Sequence, residues 1–347
     1  FYFFLAFGFF DLVFPPPLSI EQASSEATAR FKASIVSGHT LVDITGGTGI
    51  DHYYFSKRFT QTIYFEHNNE VSETAQLNFT QLGATNITVR HTDSTAYLQA
   101  HKVQADWLYA DPARRDVKNE KVVLLSDCTP DIIHNLKLLY TTAENLMFKT
   151  SPLLDISKAV EELAGITEVY ILGAGNECKE LVFILNKNNN HPDYKRKVRI
   201  LDPDGEVIHR IDSSGSEESQ AKVNFADPKN FLYEPHAAVL KAGFFNLLCP
   251  IFGLDKIAPS SHLYTSERAA MNFPGRIFEV IAICKPDRNE VFKSIGTDKA
   301  NLTIRNFPGT VQDLRKKLRL KEGGEIYLFA TTLANNKKVV IATKKHL

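Results

Sequence analysis

Leu41-Val42-Asp43-Ile44-Thr45-Gly46-Gly47-Thr48-Gly49-Ile50-Asp51 is the stretch that decides the fold. An apolar run suited to a buried strand is closed by an acid, a glycine-rich turn follows, and a helix begins. Gly46, Gly47 and Gly49 let the backbone turn tightly or left-handed and let a ligand come close. A strand, a glycine turn and a helix in that order open an α/β sheet of the nucleotide-binding kind.

Around this stretch, apolar runs at 41–45, 62–66, 87–91, 107–110, 146–149, 169–172 and 181–185 alternate with segments of helical spacing such as 69–82 and 156–163. Alternation of this sort builds a mostly parallel sheet with helices on both faces. The last two runs meet around Gly173-Ala174-Gly175-Asn176, which predicts an antiparallel hairpin at the sheet edge.

Charge decides between the ligands of the glycine turn. The dinucleotide fingerprint GxGxxG offers a bare helix N-terminus to pyrophosphate. Here the spacing is GGxG, and Asp43 and Asp51 flank the loop. Two carboxylates repel a diphosphate but suit a cationic sulfonium and the amino group of a methionine moiety. S-adenosylmethionine is therefore the expected cofactor and NAD its competitor. Glu66, in Tyr64-Phe65-Glu66-His67-Asn68, ends the second run and can accept from both ribose hydroxyls. Asp93, in His91-Thr92-Asp93-Ser94, follows the third run, where a carboxylate can accept from an adenine amine; a loop or cap residue is the alternative. The expected cofactor-binding residues are Asp43, Thr45, Gly46, Gly47, Gly49, Glu66, Asn68, Asp93 and Ser94.

The fourth run ends in Asp106-Trp107-Leu108-Tyr109-Ala110-Asp111-Pro112-Ala113-Arg114-Arg115. Ligands of an open α/β sheet bind outside the carboxyl ends of its strands, so Asp111-Pro112 should face the methyl donor. The Asp oxygen and a backbone carbonyl are acceptors that can grip an exocyclic amine, and Pro removes a competing N–H. Catalysis would then come mainly from positioning. Asp111, Pro112 and Arg114 are the expected catalytic residues, and Arg115 is expected at the substrate. Lys149 and Ser151, after the fifth run, can line the same pocket or form a strand-ending turn. Cys128 reads as an inert cysteine in a connecting segment away from the Asp111 motif. The 11 histidines show no ligand spacing, so no metal is expected.

These residues carry a resemblance to class I methyltransferases, in particular the bacterial group with a C-terminal THUMP-like domain. The likeness lies in Leu18-Ser19-Ile20-Glu21-Gln22-Ala23-Ser24-Ser25-Glu26-Ala27-Thr28-Ala29, in the glycine loop, in Asp111-Pro112-Ala113-Arg114-Arg115 and in Asn176-Glu177-Cys178-Lys179-Glu180-Leu181. Tyr233-Glu234-Pro235 with Ala242-Gly243, and Ser261-His262-Leu263-Tyr264-Thr265-Ser266, resemble that group's small ferredoxin-like middle domain. The resemblance implies a Rossmann-like seven-stranded sheet, a small ferredoxin-like α+β region and a THUMP-like α/β domain. The corresponding domains are 15–225, 226–275 and 276–347. It also implies RNA, because THUMP domains proper occur in RNA-modifying enzymes. One departure stands out. Amine methyltransferases of the DPPY type place an aromatic after the prolines, whereas Ala113 and Arg114 stand there in this chain. An Arg guanidinium can stack on a base, hold a phosphate or form a structural ion pair.

Beyond 186 the chain changes character. Runs at 197–201 and 206–211 flank Asp202-Pro203-Asp204-Gly205, a hairpin turn. Residues 213–220 read as a polar linker, and a helix is expected from Tyr233 through the 236–248 stretch. Strands are expected at 277–284 and 302–306, a helix at 311–320 capped by Thr310 and Asp313, and a closing hairpin at 325–331 and 338–343.

Charge is unevenly spread. The net charge is zero, yet from Arg276 onward 15 Lys/Arg stand against 7 Asp/Glu, a surplus of +8, which leaves 25 against 33, or −8, before it. A basic module on an acidic body suits a polyanionic partner, or is simply a solvated basic face. Arg315, Lys316, Lys317 and Arg319 are the candidate phosphate contacts. Four scattered cysteines without a CxxC pair fit a reducing compartment and a cytoplasmic protein. Residues 1–14 are almost wholly apolar, but they are fewer than the roughly 20 that a spanning helix needs and they include Asp11, so no membrane is expected. That run lacks an initiator Met, as a fragment or aberrant leader would, and receives no function. The reading is an RNA base methyltransferase. A protein or small-molecule methyltransferase and a non-catalytic cofactor binder are its alternatives.

Overall fold

The computed structural model describes residues 12–13, 23–114, 125–191 and 193–346. The chain divides into two compact units, the first ending at Asp212 and the second beginning at Ser213.

The first unit opens with α1 (Glu26–Ser34), which is followed by β1 (Gly38–Asp43), α2 (Ile50–Ser56), β2 (Phe59–Glu66) and α3 (Asn69–Gln81). Next come β3 (Ile87–His91), α4 (Ser94–Ala100), β4 (Ala105–Ala110), β5 (Ala113–Arg114), β6 (Cys128–Thr129) and α5 (Ile132–Thr142). The unit closes with β7 (Ala143–Thr150), α6 (Ile156–Glu162), β8 (Ile166–Ala174), β9 (Glu177–Asn186), β10 (Lys195–Leu201) and β11 (Val207–Ser213). Short polar side chains start every helix of this unit except α2, as their capping preference dictates. Ser25, Asn68, Asp93, Asp131 and Asp155 each accept from a backbone N–H of the first turn they cap.

All seven expected strands form, in the order β3-β2-β1-β4-β7-β9-β8, with β3, β2, β1, β4 and β7 parallel and β9 antiparallel to both neighbours. The hairpin expected at 197–211 does not stand apart. Its first strand, β10, pairs in parallel with β8, so the sheet grows to nine strands and the β8–β9 hairpin is not its edge. Val42, Leu108, Leu146, Phe148, Val169 and Phe183 are wholly buried, as expected for central strands covered on both faces. The strand order reverses between β1 and β4, the place where such sheets open a crevice at their carboxyl ends.

The second unit is one seven-stranded sheet. It contains α7 (Gly215–Gln220), β12 (Phe231–Pro235), α8 (Ala237–Lys241), α9 (Leu248–Phe252), β13 (Asp255–Lys256), β14 (Tyr264–Ser266) and β15 (Gly275–Cys284). After these come α10 (Arg288–Ile295), β16 (Asn301–Arg305), α11 (Val311–Leu318), β17 (Ile326–Thr332) and β18 (Lys338–Lys345). The strand order is β13-β14-β12-β15-β18-β17-β16.

Two expectations are corrected here. The 213–220 segment is not a linker: after the end of β11 it forms α7, started by a Ser214–Glu217 capping box and tied down by Glu218, whose carboxylate accepts from the N–H groups of Phe245, Asn246 and Leu247. The helix expected from Tyr233 is a strand as far as Pro235, because β14 and β15 pair with it on either side; the rest is broken into α8 and the start of α9 at Leu248. Tertiary pairing overrides local helical spacing there.

In α11 the Thr310–Asp313 capping box forms as expected, and Leu314 and Leu318 are buried. Lys316, Lys317 and Arg319 are exposed, while Arg315 is half-buried, 3.9 Å from Glu322. Arg319 is not helical: it closes α11 in the left-handed conformation at φ 53°. Among the described residues, no helix is long and apolar enough to cross a membrane.

Candidate active site

A cavity of about 620 Å³ opens at the carboxyl ends of β1 to β4. The glycine loop forms its floor. Gly46 sits where a Cβ would fall 2.1 Å from the Tyr64 ring, so no other residue fits. Gly49 starts α2 at φ 80°, with Phe79 2.6 Å from where its Cβ would lie. Tyr64 Oη donates to the Gly47 carbonyl at 2.5 Å, which ties the loop to β2.

Glu66 reaches the loop from the end of β2. Its Oε2 accepts from the Gly47 N–H at 2.9 Å and its Oε1 from the Asn68 N–H at 2.7 Å. Asn68 itself caps α3 through Val71 N–H. Asp93 lines the cavity, but its Oδ1 is used as the cap of α4, accepting from Ala96 N–H at 2.8 Å and Thr95 Oγ1 at 2.7 Å. Those donors hold its carboxyl below the ordinary value. The cap role thus accounts for Asp93 as structured here. Ser94 donates its hydroxyl to the Ile44 carbonyl at 2.8 Å, joining α4 to the end of β1.

Asp43 does not stand in the cavity wall. It lies beneath the loop, wholly buried, where Oδ1 accepts from Thr45 N–H at 2.9 Å and Oδ2 meets His52 Nδ1 at 3.2 Å. Burial raises its carboxyl above the ordinary value, with His52 opposing. It shapes the entry to the turn and leaves the wall to Asp51. Asp51 Oδ2 accepts from Tyr109 Oη at 2.6 Å and Ser24 Oγ at 2.8 Å, and Lys32 Nζ lies 3.1 Å from Oδ1. Lys32 is completely buried and also donates to Glu180 Oε1 at 2.6 Å.

Asp111 faces the cavity, and its N–H donates to Thr45 Oγ1 at 2.6 Å, which fastens the Asp-Pro motif to the glycine loop. Its Oδ2 is ion-paired with Lys149 at the end of β7. Burial raises the Asp111 carboxyl, against the pull of Lys149. Lys149 titrates above its ordinary value, because Asp111, Glu180 and Asp51 outweigh the burial that works to lower it. Pro112, the second residue of the motif, is buried. Ser151 is a turn residue, its Oγ accepting from Leu153 N–H at 3.2 Å, and neither it nor Lys149 is in the cavity wall.

The third side of the cavity was not foreseen. Ala113 and Arg114 pair with Thr129 and Cys128 in a two-stranded ladder, which brings Thr129, Pro130, Asp131 and Asn135 into the wall. Cys128 therefore lies beside the Asp111 motif, contrary to expectation, although its side chain is buried. The Arg114 side chain and the whole of Arg115 lie outside the described residues. Ser24 and Glu180 were legible only as parts of the stretches that carried the resemblance. From the sequence Asp51 reads as an acid flanking the loop; in the structure it is part of the wall.

The comparisons agree with this architecture. A model described as a ferredoxin-like domain matches residues 231–274, and one described as THUMP domain-like matches residues 275–345. The solved structure of a proposed methyltransferase from Porphyromonas gingivalis W83 is 31% identical, with a TM-score of 0.86, over 97% of this chain and 84% of that one. The chain belongs to the methyltransferase family with a C-terminal THUMP-like domain. Two more distant structures, both from Streptococcus thermophilus, resemble about half of this methyltransferase. A type I restriction-modification methyltransferase subunit is 16% identical at a TM-score of 0.38, covering 51% of this chain and 46% of that one. An rRNA methylase is 14% identical at a TM-score of 0.34, covering 51% and 99%. No curated protein matches the chain.

Proposed function

We propose that this methyltransferase works in the cytoplasm and moves the methyl group of S-adenosylmethionine to an exocyclic amine of a base in RNA. One observation carries the choice of cofactor. Asp51, Glu66, Asp93, Asp111 and Asp131 line the cavity, and no Lys or Arg does so among the described residues. That wall attracts a cation and repels a pyrophosphate. The volume, about 620 Å³, lies within the range of small-molecule sites.

When bound, S-adenosylmethionine supplies a methyl group already activated on a cationic sulfur. The chain's own residues bind and orient. Glu66 presents acceptors to ribose hydroxyls while fastening the loop. Asp111 accepts from the N–H of a target amine, and a backbone carbonyl of the Asp111-Pro112 motif is the second acceptor that turns its lone pair inward. RNA as the substrate is supported by the THUMP-like match and by the exposed cations Lys316, Lys317 and Arg319.

Incubating the full chain with radiolabelled S-adenosylmethionine and separated RNA, protein and small-molecule fractions tests this. Label should enter RNA and not when Asp111→Ala replaces the protein. Label entering protein instead would overturn the substrate class.

A further inference from the structure

Asp111 follows β4 and Lys149 is the penultimate residue of β7; the register of these parallel strands sets Ala110 beside Phe148 and so carries the next residue of each to the same level. The Lys149 ammonium is nearly buried, with 10% of its side chain exposed, and is paired to Oδ2 of Asp111. With Oδ2 engaged and no hydrogen bond to Oδ1 among the described residues, Oδ1 is the carboxylate oxygen offered to a substrate. On its other side, the Asp111 N–H is held by Thr45 Oγ1 at 2.6 Å. The motif is thus gripped from both flanks before any substrate arrives.

We propose that Lys149 is a positioning residue for methyl transfer: through its ion pair it holds the Asp111 carboxylate turned so that one oxygen receives the target amine. This rests on the methyltransferase reading above. It replaces the expectation that Lys149 itself meets substrate.

The charged groups around the pair are Asp51 of α2 and Lys32 of α1 on the Asp111 side, and Glu180 of β9 with Asp51 on the Lys149 side; the buried Tyr109 hydroxyl also lies beside Asp111. Burial favours the neutral acid at Asp111, and a neutral acid would donate where the target amine needs an acceptor. Lys149 opposes that. A lysine suits the place because its ammonium is a compact charge on a stem that can lie buried.

The test uses the full chain with ¹³C-labelled aspartate carboxyls and infrared difference spectra, Asp111 being assigned by its loss in Asp111→Asn. In Lys149→Met the Asp111 titration should move to higher pH, and in Lys149→Arg it should return towards that of the unchanged protein. Transfer from labelled S-adenosylmethionine to total RNA should fall about 100-fold in Lys149→Met at neutral pH, as expected for a displaced acceptor, with its acid limb moved up by the same amount. Binding of S-adenosylhomocysteine should stay within a few-fold. If Lys149→Met does not fold, Lys149→Gln keeps a polar chain in the buried position and carries the same expectations. An unmoved Asp111 titration in the neutral variant overturns the proposal. A moved titration in a protein that labels no RNA supports the pairing and overturns only the proposed substrate.

Discussion

The Gly47 N–H donates to Oε2 of Glu66 at 2.9 Å, so the acid that ends the second strand also pins the loop following the first. On the proposed function, cofactor recognition and loop geometry share one carboxylate. Glu66→Ala should weaken S-adenosylhomocysteine binding by about 10- to 100-fold, the scale of losing hydrogen bonds to a charged group. Glu66→Gln, which keeps an acceptor oxygen, should lose less. Isothermal calorimetry on both variants checks the order, and equal losses would argue against the shared role.

Gly46 is a packing prediction. Its Cβ position lies 2.1 Å from the Tyr64 ring, and Tyr64 is itself wholly buried. Gly46→Ala should destabilise the first unit by about 1–3 kcal/mol, as overpacking does. Tyr64→Leu costs stability of its own, but Gly46→Ala should cost less in that background than in the unchanged protein. Urea denaturation midpoints provide the measurement.

Much of the sheet was legible because its strands are short apolar runs with acids or glycines at their ends, and the helix starts were legible as Ser, Asn and Asp caps. The local signal failed where distant segments decide. Tyr233–Pro235 reads as the start of a helix, yet β14 and β15 claim it as a strand. At the site, Asp111 and Glu66 could be placed because each ends a strand. Lys32, Asp51 and Glu180 meet from three separate segments, and no spacing rule connects them. An acid at a strand end can turn into the cavity or beneath the loop; Asp43 lies beneath it, held by Thr45 N–H and His52, and local spacing does not show which way it turns.

The buried charge group has a pH signature. Burial works to raise the Asp51 carboxyl, but Lys32 and then Lys149, with the Tyr109 and Ser24 hydroxyls, hold it below the ordinary value. A depressed folded-state value stabilises fully above the pH where an unfolded Asp titrates, and that contribution is lost as pH falls through the folded value. Asp51→Asn should cost about 3 kcal/mol at pH 7, since Lys32 loses a buried partner. The gap from the unchanged protein should narrow in acid. Chemical denaturation across pH 7 to 3 would reveal it, and a gap independent of pH would contradict the ionised pairing.

On the second unit, neutralising Lys316, Lys317 and Arg319 should weaken RNA binding and reduce the slope of log affinity against log salt by about 2, on the scale of 0.7 per released counterion. Arg315, half-buried near Glu322, should contribute less when neutralised alone. Filter binding of total RNA over a salt series measures both, and an unchanged slope would remove the RNA contact from this helix.

Calorimetric titration of the full chain with S-adenosylmethionine and, separately, NAD tests most directly whether the acid-lined cavity selects a cationic donor. Saturable binding of S-adenosylmethionine, weakened in Asp51→Asn, with no heat from NAD, is the expected result. Binding of NAD, or none of S-adenosylmethionine, would contradict it.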